Sequence, residues 1–323
     1  VQAGEDSCQA TVEAVCPLCQ SKELSRLDEI CLRDLDELFR QRFDLPVAEE
    51  FESLDHLVLY SCLRCHLRHF HPLVGGSQLF YQRLNRNRWY YIVEKREYQS
   101  AAAVIAEGAT VLDIGCGEGA FARWIPSCRY VGLEMNRLKE REPRENLPVI
   151  LAEGIKEHAL AHQESYDVVC FFQVLEHVVD ISGFLEQSIR CLRPGGKLIV
   201  SVPAADSFVG QTVNGLLNLP PHHVTWWSDE SLLYLGQKYE LKLESMTHEP
   251  LERMHYRRYA FNWALSLLSR RVGYRLRLID RSLGYRILSF VVLPFALCRW
   301  GLLLLTTRAV AGHSVVAVFH KAK

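Results

Sequence analysis

The 323-residue sequence has no excess of charge, since 37 basic side chains face 38 acidic ones for a formal net charge of -1. That balance excludes wholesale nucleic-acid binding, although a local basic patch stays open. The opening stretch, VQAGEDSCQA, is polar and lacks a basic, apolar signal pattern, so no secretion signal is expected in it. A chain starting at Val1 rather than methionine is expected to continue upstream. An unbroken apolar run of membrane-spanning length is also missing, because Pro294 and Arg299 interrupt ILSFVVLPFALCRWGLLLLTT. What is present, 49% hydrophobic and 23% charged residues, suits one large domain with a smaller appendage.

The cysteines do not come in an even number. Among the 11, Cys116, Cys170 and Cys191 sit in apolar runs where a thiol packs as a small hydrophobe, so a reducing, cytoplasmic compartment is expected. Four others are more pointed. CPLC puts two residues between Cys16 and Cys19, CLRC repeats the spacing at Cys62 and Cys65, and two such knuckles can close a tetrahedral zinc site. The alternative is four reduced cysteines without metal. A zinc held by four thiolates has no open position for chemistry; it would staple a lobe, residues 1–75, too short to hold a core alone.

Between the knuckles, SRLDEICLRDLDELFRQRF is acidic and places Leu27, Ile30, Leu35 and Leu38 at helical spacing. His66, His69 and His71 alternate in HLRHFHP as in a strand, and read as surface histidines rather than ligands. Residues 76–108 read as a helical connector stopping at Gly108. Its aromatic and basic side chains either touch a substrate or pack a helix onto the next domain.

Beyond Gly108, ATVLDIG, RYVGLE, LPVILAE, YDVVCFF and GKLIVSV read as strands, and EGAFARWI and DISGFLEQSIRCL as helices. Short continuous apolar runs imply a parallel sheet buried on both faces, with a ligand beyond its carboxyl ends. The loop GCGEG supplies Gly115, Gly117 and Gly119, and with Ala120 next, spacing alone does not exclude NAD. Two carboxylates lean away from it. Asp113, just before the bend, would repel a pyrophosphate and suits a cation. Glu134 lies 19 positions beyond Gly115, where an acid accepts from both ribose hydroxyls. A ribose without pyrophosphate, beside a positive group, describes S-adenosylmethionine.

With VLDIGCGEG, YVGLEMN and YDVVCFFQVLEHVVDISGFLEQSIRCLRPGGKLIVSVP in order, the chain resembles the class I S-adenosylmethionine-dependent methyltransferases over roughly residues 109 to 248 plus the final strand. The resemblance implies an α/β fold: a Rossmann-like, seven-stranded methyltransferase sheet over 109–249 and 312–323. It implies that Asp113, Gly115 and Gly117 line the methionine end and that Glu134 binds the ribose. Met135 and Asn136 would flank the adenine, Glu153 would meet its edge where the family has a Gly-Asp pair, and Gln173 would approach from below. The order CPLC, CLRC and a tyrosine-rich link also resembles bacterial methyltransferases of sugar and natural-product pathways, which implies a saccharide or other small-molecule acceptor.

Methyl transfer from a sulfonium is an in-line displacement, so one well-placed base can suffice. His177 in VLEHV is either that base or a structural element capping its loop. In LPPHHVTWWS, His222 and His223 either take a proton beside stacking tryptophans, or the tryptophans seal the domain while the histidines cap the helix SDESLLYL. Between the sixth strand, YELKLESM, and the seventh, SVVAVFH, stands an insertion, 250–311, rich in arginine and ending in the apolar run. A full crossing would strand the last strand on the wrong side. The insertion therefore reads as a peripheral anchor at the inner face of a membrane, serving a lipid-linked acceptor, or as a helical subdomain or homo-oligomer interface. Two rival functions remain: an RNA methyltransferase using the zinc lobe and basic insertion, opposed by the lobe's acidity, and a non-catalytic cofactor-binding scaffold.

Overall fold

The computed structural model describes residues 13–84, 86, 96–135, 148–305 and 310–323. Its strands are β1 (Leu24–Cys31), β2 (His56–Cys62), β3 (Arg68–His71), β4 (Thr110–Ile114), β5 (Arg129–Leu133) and β6 (Val149–Leu151). They continue as β7 (Tyr166–Phe172), β8 (Leu192–Pro203), β9 (Thr225–Trp226), β10 (Leu241–Pro250) and β11 (Ala311–Lys321). The helices are α1 (Leu32–Phe43), α2 (Gln78–Leu84), α3 (Arg96–Ala102), α4 (Ile155–Ala161) and α5 (Ile181–Cys191). After them come α6 (Asp229–Lys238), α7 (Tyr256–Arg271), α8 (Leu283–Val291) and α9 (Leu293–Leu305).

The apolar runs from Thr110 onward assemble as one seven-stranded sheet in the order β10-β11-β8-β7-β4-β5-β6. Strands β4 to β8 run parallel, and β11 lies antiparallel between β8 and β10. This is the Rossmann-like methyltransferase sheet. Val168 to Phe172 are all buried, as a strand covered by helices on both faces requires. Helix α5 shows why helices flank it: Asp180 accepts from the Gly183 N–H at 3.0 Å to start the first turn, and Ile181, Leu185, Ser188 and Cys191 form its buried stripe.

Two local expectations fail. EGAFARWI yields only a short 3-10 turn, Ala120–Trp124, because Pro126 disfavours a helical Ile125, which adopts φ -130° and ψ 53°. The helical spacing read through Leu27 and Ile30 gives way to strand β1, whose Ile30 pairs with Leu57 of β2, both fully buried. Sheet pairing overrides local periodicity there, and the helix begins only at Leu32.

The N-terminal lobe is a second sheet, β1-β2-β3-β9, and β9 comes from the far side of the chain. Arg68 and His69 pair with Trp226 and Thr225, so the larger domain completes the lobe's sheet. Phe39, Phe70 and Phe80 pack with Trp226 in one cluster, while Trp227 turns into the main core. The tryptophans thus seal the join. Capping of α6 falls to Ser228, which forms a capping box with Ser231, and not to the histidines before it. The expectation of surface histidines fails at His69, which is 1% exposed beside Tyr60. Neither of its ring nitrogens has a hydrogen-bond partner among the described residues, and burial pushes its pKa down to about 4.

Candidate active site

At the end of β4 the chain turns sharply, and Gly115 adopts φ +70°. A Cβ there would lie 2.6 Å from the Val174 side chain, so the bend has room for glycine alone. The Gly115 N–H donates to the Leu133 carbonyl at 2.8 Å, locking the bend to the end of β5. One residue on, Glu134 Oε2 accepts from the Gly117 N–H at 3.0 Å. The glycine bend and the ribose-type acid therefore meet at the carboxyl ends of adjacent parallel strands.

Asp113 is buried beneath the bend, where its Oδ2 accepts from Tyr130 Oη at 2.7 Å. Burial and then the Asp113 charge push the Tyr130 phenol well above its usual range, so it remains a donor. This places a carboxyl group, held by a phenol donor, under the bend. Met135 is exposed and reaches over Gly154. Glu153 is tied to the buried His158, with Oε1 2.5 Å from Nδ1, while His158 Nε2 lies 2.7 Å from Tyr166 Oη. Asn136 lies outside the described residues.

Gln173 follows β7 with φ +59°, and its Nε2 donates to Ser314 Oγ at 3.1 Å. It lines a cavity of about 510 Å³ whose wall also includes Pro203, Leu216, His223, Arg258 and His313. Arg42 and Phe43, from the lobe's helix α1, reach the same cavity. The three histidines expected from the sequence come together beside it. His222 Nδ1 donates to the Leu217 carbonyl at 2.8 Å, and His223 Nδ1 lies 3.0 Å from Asn218 Oδ1. His177 Nδ1 lies 2.5 Å from the His222 carbonyl.

Of the three, only His223 lines the cavity. His177 holds the His222 backbone in place, which is the capping role. Burial, followed by the neighbouring imidazoles, pushes His222 and His223 well below the usual range, so both rings are neutral at neutral pH. Glu176, itself buried, puts Oε1 3.9 Å from Nε2 of both His177 and His223. Sequence reasoning missed Asn218, His255, Arg258 and His313. Asn218 stood four residues from His222 and could have been found; the others come from the insertion and the last strand, where no local pattern marks them.

The four knuckle cysteines also converge, with one sulfur of each within 4.8 Å of the others. Cys16 and Cys65 are 3.4 Å apart, as are Cys19 and Cys62. A tetrahedral zinc with Zn–S of about 2.3 Å needs edges of roughly 3.8 Å, so the set fits after a small expansion. The two knuckles share one backbone form. Gln20 and His66 both have positive φ, and their N–H groups donate to the Cys16 and Cys62 carbonyls. Cys65 hydrogen-bonds Cys16 and draws that thiol down to about 5, whereas burial lifts Cys19 to about 11. The cluster docks on the larger domain, where Lys238 Nζ donates to the Leu18 carbonyl at 2.7 Å.

A family model described as a methyltransferase domain matches residues 82–246, just over half of the chain. The chain belongs to the methyltransferase domain family. Its similarity to a "Probable S-adenosylmethionine-dependent methyltransferase" of Mycolicibacterium smegmatis is 36% identity over 140 residues, covering 42% of this chain and 53% of that protein. It is 34% identical over 109 residues to phthiotriol/phenolphthiotriol dimycocerosates methyltransferase 1 of Mycobacterium ulcerans, covering 32% of this chain and 40% of that one. The chain thus spans about half the length, or less, of these curated relatives. Among solved structures, a Burkholderia thailandensis 1,6-didemethyltoxoflavin-N1-methyltransferase bound to S-adenosylhomocysteine aligns with TM-score 0.45 and 14% identity, over 83% of this chain and 96% of that one.

Proposed function

We propose that the protein transfers a methyl group from S-adenosylmethionine to a hydroxyl of a small-molecule or lipid-type acceptor held in the cavity beside Gln173. The observation that carries this reading is the contact between Gly117 and Glu134, which sets a ribose acceptor against the glycine bend, whose Gly115 packs on Val174, the residue after the cavity-lining Gln173. When bound, the cofactor supplies the electrophilic methyl of a sulfonium. The chain's own part is binding, alignment and proton uptake. Glu134 accepts from the ribose hydroxyls, and the buried Asp113 favours the sulfonium-bearing end electrostatically.

On the acceptor side, Gln173 is fixed by Ser314, and His223 presents a neutral ring to the cavity. Asn218 holds His223 Nδ1, which leaves Nε2 to take the hydroxyl proton. The imidazolium so formed sits 3.9 Å from the Glu176 carboxylate. The name of the Mycobacterium ulcerans relative, and those of ubiquinone biosynthesis O-methyltransferases such as that of Sodalis glossinidius, 35% identical over 106 residues, support a lipid-type acceptor oxygen. The four cysteines, a closed thiolate set, would hold a structural zinc that takes no part in the transfer.

The test incubates the zinc-loaded protein with methyl-labelled cofactor and separated lipid, small-molecule, glycan and RNA extracts. Label entering the lipid or small-molecule fraction, and lost on Glu134→Ala, supports the reading. Label in RNA alone overturns the acceptor class, and no label in any fraction overturns methyl transfer.

A further inference from the structure

Helices α8 and α9 of the insertion between β10 and β11 are the part of the molecule that the transfer chemistry leaves unused. Helices α8 and α9 keep Leu288, Val292, Ala296 and Leu303 buried and turn the rest of their apolar side chains outward. Phe290 is 75% exposed, Phe295 62% and Leu305 84%, joined by Ile287, Leu293, Leu297, Leu302 and Leu304. So many contiguous apolar side chains on one face need a cover.

The one cation within α9 does not interrupt that face. Arg299 turns inward and stacks on Tyr259 and Trp263 of α7, at 5.6 and 5.5 Å from the ring centroids. From Arg281 to Leu305 the sequence holds three arginines and no acid. Arg286 on α8 and Arg270, Arg271 and Arg277 beside its start are exposed, and none has a carboxylate partner among the described residues. The loop carrying Arg277 is held to the α8 start by Tyr274 Oη, 2.7 Å from Ser282 Oγ.

We propose that the outer face of α8 and α9 docks on an anionic phospholipid bilayer, as a wedge entering one leaflet. Three observations select this cover. Neither helix can span: at about 1.5 Å per residue they measure roughly 14 and 20 Å against a hydrocarbon core of about 30 Å. Together they bend by 46° at the break, which suits lying along an interface. The insertion also starts and ends at one place, because Pro250 pairs with Ala311, so it must return to the side it left. Charge decides between a bilayer and a second copy of this chain. A twofold contact through this face would bring the exposed Arg271 and Arg286 toward their own copies with no acid on α8 or α9 to offset them, whereas anionic headgroups neutralise them. Helix α7, on which Arg299 of α9 stacks, also carries Arg258 into the wall of the cavity. The inference does not depend on methyl transfer.

The experiment floats the full-length, zinc-loaded protein with two kinds of vesicle: phosphatidylcholine alone, and phosphatidylcholine with an equal part of phosphatidylglycerol. The protein is expected to rise with the anionic vesicles and to stay behind with the neutral ones. Phe290→Asp with Phe295→Asp is expected to cut partitioning more than about tenfold. An unchanged thermal melt and unchanged binding of S-adenosylhomocysteine would show that this variant still folds. Arg271→Glu with Arg286→Glu is expected to remove the preference for anionic vesicles. Three results would overturn the proposal: no flotation with either vesicle, equal flotation with both, or a dimer by light scattering that the Phe290/Phe295 variant dissociates.

Discussion

On the cofactor side of the cleft, the bend at Gly115 and the acid Glu134 come from the ends of two neighbouring parallel strands, joined by the backbone N–H groups of Gly115, Cys116 and Gly117. On the acceptor side, Gln173, His223, Arg258 and His313 come from four separate segments, and Arg42 from a fifth in the lobe. The first is a local backbone device that tolerates little change. The second is a product of tertiary packing, in which one strand pair, β3 with β9, links the lobe to the segment carrying His223.

The largest expected effect lies on the cofactor side. Gly115→Val meets both a positive φ and the Val174 side chain, and titration calorimetry should show S-adenosylhomocysteine affinity falling by about a thousandfold, near 4 kcal/mol. Next is the lobe. Cys65→Ser or zinc chelation should lower the thermal midpoint by about 6 °C, equivalent to roughly 4 kcal/mol at this size. If the β3–β9 link matters as argued, the same treatment weakens acceptor binding more than cofactor binding; an equal loss on both sides would break the comparison.

His223→Gln should lower kcat by about a hundredfold, near 3 kcal/mol, and leave cofactor affinity unchanged. Because burial holds this ring well below the usual imidazole range, wild-type kcat/KM should stay level as pH falls through 6.5. A decline centred there would assign the proton to another group. The smallest effect is thermodynamic. His69 is neutral when folded, with a pKa of about 4 against 6.5 unfolded. Its contribution is therefore complete above pH 6.5 and is lost as pH falls toward 4, by about 2 to 3 kcal/mol. Denaturant melts of His69→Leu across that window should show a shallower loss than wild type.

The same division explains what could be read in advance. The parallel strands of the large sheet were legible because buried parallel strands write apolar runs, while β10 and β11 were placed by the resemblance; Asp113, the glycines and Glu134 were legible because a tight bend and a strand-end acid have fixed spacing. Where pairing partners lay far apart, local pattern misled: Leu27 and Ile30 looked helical until β2 claimed their segment. His69 looked exposed because an alternating strand has a polar face, yet Thr225, distant in sequence, pairs with it and closes that face. His222 and His223 were visible through their proline pair. Arg258 and His313 were not, because nothing near them in the chain shows that α7 and β11 border one cavity.

The central claim is that Asp113 and Glu134, set around the glycine bend, together select an adenosyl sulfonium over a dinucleotide, with Glu134 holding the ribose. Calorimetry on the wild type and Glu134→Ala with S-adenosylhomocysteine and with NAD tests it most directly. Binding of S-adenosylhomocysteine that weakens about a hundredfold in the variant, with no heat from NAD, is the predicted result. Uptake of NAD, with none of S-adenosylhomocysteine, would contradict it.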